Sequence, residues 1–258
     1  MQSVLFSDLE GFTSFSERQT PTEIIAVLGD YYAEMTEQVF AHQGTLVEYV
    51  GDELFALFGA PVPQADHAKR ACATALAMRE RLLALGEEWM QMGRPRLRAR
   101  IGVNSGTMLV GNIGSKYRFH YSAMGDAVNL ASRLEGLNKI YGSEIMVSSH
   151  TAELVPGMFL MRELDLVRVK GRQQALRIYE LLGSAEMALP PQRRQLLDSY
   201  AAGLSAYRER RWDEGREIFE QCLALHPDAP PVLRDICASL RGCWSEAAEA
   251  RTPQAPLH

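Results

Sequence analysis

Residues 45–58 read TLVEYVGDELFALF. Two apolar runs flank Gly51-Asp52, a dipeptide suited to the positive φ of a tight hairpin turn. The stretch predicts antiparallel strands over 45–50 and 53–58, with Asp52 in the turn between them. Asp52 therefore has a complete structural explanation by itself. Gly44 ends a helical pattern upstream in which Ile24, Ile25, Leu28, Tyr31, Tyr32, Met35 and Val39 recur. Thr20, Pro21 and Glu23 make a capping box with a proline start for that helix. Earlier still, residues 3–7 (SVLFS) form a short strand-like run ending at Asp8, with a break at Glu10-Gly11.

Downstream, Gly59-Ala60-Pro61 stops the hairpin, and residues 66–92 carry a long Ala/Leu/Met helix. Strands are expected at 97–104, 107–112, 144–147, 158–169 and 176–182. The stretch 114–120 is polar, the second part of 121–137 reads as a helix, and 149–154 as a short one. Interspersed strands and helices indicate α/β or α+β. From Gly183 the composition shifts, and Pro190-Pro191 marks a linker. Helices are expected at about 193–208, 212–225 and 231–241. Leu204, Tyr207, Trp212, Gly215, Phe219, Leu223 and Pro227 fall roughly where a tetratricopeptide repeat places its anchors. One such unit cannot bury its own apolar face, so the tail is expected to pack on the main domain or extend a partner surface. Residues from Ala247 onward read as disordered.

The chain has 258 residues, which at ~100–200 residues per domain fits one large domain with a small appendage. Its 47% apolar and 23% charged residues exclude a disordered or fibrous chain. A net charge of −5 argues against wholesale nucleic-acid binding, and no nucleic-acid partner is expected. Cys72, Cys222, Cys237 and Cys243 form no C-x-x-C pair and read as reduced thiols. No run approaches the ~20 apolar residues of a membrane span, so a cytoplasmic location is expected, with any upstream anchor outside this sequence. The histidines show no zinc-ligand spacing.

Three motifs carry chemistry. Residues 6–13 (FSDLEGFT) end a strand in a carboxylate and follow it with a glycine turn and a helix start. Asp8 can hold a divalent cation there and the backbone N–H groups a phosphate, although a lone aspartate in that place reads first as a turn residue. Asp52 on the neighbouring hairpin would complete a site for hard cations. In residues 125–133 (GDAVNLASR), Asn129 and Arg133 stand one helical turn apart on one face. Arginine suits phosphate and asparagine a hydroxyl, while a polar helix face with Arg133 paired to an acid is the plainer alternative.

Together these motifs resemble the catalytic domain of the class III nucleotide cyclases over about residues 3–183. FSDLEGFT, GDELFALFG, RIGVNSGTMLVGNIG, GDAVNLASRLE and VKGR carry the resemblance. It implies an α+β fold, a ferredoxin-like βαββαβ core with an antiparallel-rich sheet, helices on one face and the 45–58 hairpin as its central pair. Domain boundaries follow at 1–183 for the catalytic domain and 184–258 for a short α-helical extension. It further implies conversion of a purine nucleoside triphosphate to the 3′,5′-cyclic monophosphate and pyrophosphate, with two Mg²⁺ or Mn²⁺ ions. By motif, Asp8, Asp52 and the Leu9 carbonyl resemble the metal ligands, and Gly11, Phe12 and Thr13 the phosphate loop. Asn129 resembles the residue that orients the ribose and Arg133 the one that stabilises charge at the α-phosphate. Lys170 and Arg172 both stand near the family's phosphate-binding lysine. A head-to-tail homodimer with two equivalent sites is implied, and the tail could add a protein partner.

The family's two base-reading positions are Glu48 and Ser122 here. An ionised Glu accepts only, which suits the N1–H and N2 amino group of guanine and opposes the bare N1 of adenine. Ser122 can donate or accept and does not discriminate. The expectation is therefore a guanylate cyclase, with adenylate cyclase as the alternative and a non-catalytic nucleotide-binding or dimerisation module as a third reading.

Overall fold

The computed structural model describes residues 1–168 and 175–225. The chain runs β1 (Gln2–Leu9), α1 (Phe12–Ser16), α2 (Pro21–Ala41), β2 (Thr45–Val50), β3 (Glu53–Phe58), α3 (His67–Gln91) and β4 (Ala99–Gly106). A hairpin of β5 (Leu109–Gly114) and β6 (Phe119–Met124) leads to α4 (Asp126–Tyr141). Then come β7 (Ile145–Ser148), α5 (Ser149–Ala152), β8 (Phe159–Val167) and β9 (Leu176–Ser184), and the tail is α6 (Pro191–Arg208) with α7 (Trp212–Leu225).

Seven strands form one sheet in the order β2-β3-β1-β4-β7-β9-β8, and β5-β6 form a second, two-stranded one. The β4–β7 pair is parallel and its neighbours are antiparallel. Within it, β4-β1-β3-β2 with α2 and α3 is the ferredoxin-like βαββαβ unit. The 45–58 hairpin is not the central pair: β2 is an edge strand, half-buried over 45–48 and exposed at Tyr49 and Val50. β1 and β3 instead bury both faces, which is why their apolar runs are nearly continuous rather than alternating.

Helices also lie on both faces rather than one. Leu5, Leu54, Phe58, Ile101 and Val103 pack against Tyr31, Met35 and Val39 of α2 and Ala71, Ala75 and Met78 of α3. On the opposite face Val4, Phe6, Phe55 and Leu57 meet Ala127, Val128 and Ala131 of α4. The capping box at Thr20 and Glu23 forms as the sequence predicts. β6 falls on the end of the polar stretch 114–120 and the first part of 121–137, where the sequence predicts no strand. Phe119, Tyr121 and Ala123 alternate with His120 and Ser122, and pairing with β5 from Gly114↔Phe119 to Leu109↔Met124 makes the run a strand.

The tail docks on β8. The Tyr200 hydroxyl donates to the Leu164 carbonyl at 3.0 Å, and Arg208 pairs with Glu163 at 2.6 Å. Gly203 meets the Phe219 ring so closely that an added methyl would come within 2.8 Å, a small-against-aromatic contact between the two helices. Pro227, Cys237, Cys243, the expected 231–241 helix and the residues from Ala247 onward lie outside the described residues. Among the described residues no helix is long and apolar enough to cross a membrane.

Candidate active site

Strand pairing assembles one half of the site. β1 pairs with β3 through Ser7↔Leu54, which brings Asp8 at the end of β1 against the Gly51-Asp52 turn. Gly51 holds φ +63°, the conformation that the sequence expects of this turn. Tyr32 of α2 pins the turn by donating to the Gly51 carbonyl, and its ring stacks on Tyr49 at 4.0 Å. The Asp8 and Asp52 carboxyls face one another, and the Leu9 backbone N–H points to Asp52. Burial, and then the Asp8 charge, push the Asp52 carboxyl up to about 6.

Three further charged groups face this pair, and the sequence analysis singled out none of them. Arg100 is the cross-strand partner of Asp8 and lies 2.5 Å from its carboxylate. Glu135 of α4 stands 3.1 Å from Arg100, and burial pushes it up to about 7, against the pull of Arg100. Glu53 is raised by burial and by Asp8 and Asp52. Alternation in 97–104 puts Arg100 on a polar position, but nothing local says which carboxylate it meets.

Gly11 adopts φ +75° and caps α1 without a side-chain hydrogen bond. The first N–H groups of α1 therefore remain available to an anion. Phe12 is buried in the main core and anchors this loop, while Thr13 is exposed. Across the sheet, Glu48 is half-buried on β2 opposite Phe55, a residue on the α4-facing side. Ser122 is buried on β6, a strand that touches β2, so the two expected base-reading positions share one region.

Asn129 and Arg133 do lie one turn apart on α4, exposed and half-buried respectively. They do not join the carboxylates of their own chain. Arg133 is two residues from Glu135, about 200° around the helix, and Glu135 is the one that faces Arg100. On one chain, then, Arg133 points to a different side of α4 from the Glu135 that meets Arg100. Lys170 and Arg172 lie outside the described residues.

Among known proteins, adenylate cyclase 1 of Rhizobium meliloti is 42% identical over 181 residues, 70% of this chain and 27% of the relative. An adenylate cyclase of Anabaena cylindrica is 37% identical, over 69% of this chain and 36% of its own length. This chain therefore spans about a third or less of these curated relatives. The adenylyl cyclase CyaB of P. aeruginosa superposes with a TM-score of 0.67 at 33% identity, covering 71% of this chain and 94% of that one. The guanylyl cyclase Cya2 gives 0.65 at 36% identity, covering 72% and 93%. Residues 2–183 match the family described as the adenylate and guanylate cyclase catalytic domain, and the chain belongs to it.

Proposed function

We propose that residues 2–183 cyclise GTP to 3′,5′-cyclic GMP and pyrophosphate at two equivalent sites of a homodimer. The ribose 3′-oxygen attacks the α-phosphorus, the bond to the β-phosphate oxygen breaks, and the hydroxyl proton leaves to solvent. The feature that supports the choice of base is Glu48, half-buried on β2 opposite Phe55, with Ser122 buried on β6, a strand that touches β2. The Glu48 carboxylate accepts from guanine N1–H and the N2 amino group. Adenine would leave that acceptor facing a lone pair, at a cost of about 1–3 kcal/mol, roughly ten- to hundredfold in selectivity.

Asp8, Asp52 and the Leu9 carbonyl would hold two Mg²⁺ or Mn²⁺ ions. The donor set fits: all are hard oxygens, and two facing carboxyls, one pushed up by burial and by the charge of the other, mark a place where a cation relieves repulsion. Such ions neutralise the triphosphate and ease loss of the hydroxyl proton. The N–H groups of Gly11, Phe12 and Thr13 hold the terminal phosphates, with Lys170 or Arg172 as a further phosphate contact. Asn129 orients the ribose, and Arg133 stabilises the charge that develops at the α-phosphate.

Dimerisation follows from the divergence of Arg133 and Glu135 on one helix, since the partner's α4 can supply the missing half. The exposed Leu109, Tyr117, Phe119 and Met124 of the β5–β6 hairpin offer apolar surface for that contact. In the tail, α6 and α7 act as a buttress on β8.

The second reading is ATP cyclisation, favoured by the names of the Rhizobium and Anabaena relatives. Product formation from ATP and GTP side by side, with Mg²⁺ and with Mn²⁺, decides between them. Cyclic GMP as the main product, shifting toward cyclic AMP in Glu48→Lys, supports the proposal. Cyclic AMP as the main product overturns the role of Glu48 and leaves cyclisation standing. Neither product from a verified dimer overturns catalysis itself.

A further inference from the structure

The N-terminal half of α4 rests on β4 through three alternate residues, Gly102, Asn104 and Gly106, while farther along the helix Glu135 pairs with Arg100 at 3.1 Å and Asn138 Nδ2 donates to the Ile101 carbonyl at 3.0 Å. A methyl on Gly102 would lie 2.2 Å from the Ala131 carbonyl oxygen and 2.3 Å from the Glu135 nitrogen. One on Gly106 would lie 2.8 Å from the Ala127 methyl. The two glycines therefore let the helix backbone approach the strand backbone directly. Between them stands Asn104, buried to 1% exposure.

Its amide bridges two elements. Nδ2 donates to the Ala127 carbonyl in the first turn of α4 at 2.8 Å, and Oδ1 accepts the Ser148 hydroxyl of β7 at 2.6 Å. The cap of α4 is Gly125, which has no side chain to hold that turn. Ser148 also accepts the Thr151 backbone N–H, and Thr151 reaches Ser105, Ser3 and His67 in turn through hydroxyl contacts of 3.1, 2.6 and 2.8 Å. The Asn104 amide is thus fixed by a buried polar chain anchored in the sheet. Glycine contacts set the height of the helix but resist sliding weakly, because they have no side chain to interlock. A directional hydrogen bond at Ala127 resists it, two residues from Asn129.

We infer that Asn104 is a positioning residue for the reaction: it fixes the first turn of α4 on β4 and so aims Asn129 at the substrate. The inference rests on the role proposed above for Asn129. A misplacement of about 1 Å in positioned groups costs up to roughly a hundredfold in rate.

The test compares Asn104→Asp and Asn104→Ser in the full chain, with and without Asn129→Ala. Asp keeps the acceptor for Ser148 and loses the donor to Ala127, and Ser keeps a polar group that cannot span the gap. The expected result is a ten- to hundredfold fall in kcat, with KM for the nucleotide within threefold of the parent. That fall should vanish in the Asn129→Ala background, because the positioned group is already gone. Melting curves and sizing run alongside, and the serine variant carries the test if the aspartate variant does not form a dimer. An unchanged kcat in a folded dimer overturns the inference, as does an equal fall in both backgrounds, which marks a general packing role. Loss of the dimer in both variants also overturns it, since Asn104 would then be needed for the fold itself. If Asn129→Ala alone leaves kcat unchanged, the role of Asn129 fails instead.

Discussion

The Arg100 guanidinium lies 2.5 Å from the Asp8 carboxylate, its register partner across β1 and β4, and 3.1 Å from Glu135 on α4. It is the counter-charge of Asp8 and Glu135, beside which Asp52 and Glu53 add further negative charge. Arg100→Gln leaves Asp8 and Glu135 without that counter-charge. In chelator it should destabilise the domain by about 3 kcal/mol, the usual order for removing one partner of a buried pair. Added Mn²⁺ should raise the melting temperature of the variant more than that of the parent, because cation binding then relieves more repulsion. Equal stability of both proteins in chelator would sink this account.

The pH dependence of the metal-free domain follows from two raised carboxyls. Glu135 stands at about 7 and Asp52 at about 6, both chiefly through burial. In the unfolded chain such groups release their protons near pH ~4. The folded state therefore holds protons that the unfolded state has lost, and stability from these groups is fully present below pH ~4 and is lost as pH rises through about 6 and about 7. Glu135→Gln has no proton to lose. Urea denaturation in chelator should show the variant gaining on the parent between about pH 5 and about pH 8, and the opposite trend refutes burial as the dominant cause.

Two glycine substitutions on the same helix–strand layer should have opposite signs. Gly102→Ala drives a methyl into the Ala131 carbonyl and the Glu135 nitrogen, which are backbone and cannot rotate away. Overpacking of this kind costs about 3 kcal/mol, and activity should fall with it. Gly136→Ala meets nothing within 4 Å on an exposed position of α4. It should stabilise by up to about 1 kcal/mol through helix propensity. Denaturant midpoints of the two variants check the pair.

Docking of the tail depends on Tyr200, whose ring packs edge-on to Phe219 at 5.7 Å and whose hydroxyl satisfies the Leu164 carbonyl. Tyr200→Phe should cost about 1 kcal/mol by leaving that acceptor without its donor. Tyr200→Ala should cost about 3 kcal/mol and speed proteolysis within residues 185–190, between β9 and α6. Unaltered cleavage in the alanine variant would show that α6 is held elsewhere.

Much of this molecule is legible in local signals. Gly51-Asp52 between two apolar runs defines the β2–β3 hairpin, Thr20, Pro21 and Glu23 start α2, and Gly11 opens the loop after Asp8. Those signals are turn chemistry, capping and periodicity, all contained within a few residues, and they place Asp8, Asp52, Asn129 and Arg133 on the right elements. Tertiary pairing decided the rest. β6 exists because β5 pairs with it, and β2 became an edge because β1 and β4, whose residues are far apart in the chain, took the centre. Arg100 meets Asp8 from 92 residues away, and Glu135 turns toward that pair only because Gly102 lets α4 sit down on β4. By itself the sequence determined which chemical groups the domain owns and the local elements that carry them. Only the tertiary structure decided which groups face one another, because a contact across a sheet is set by strand order and register, properties of the whole chain that no short stretch encodes.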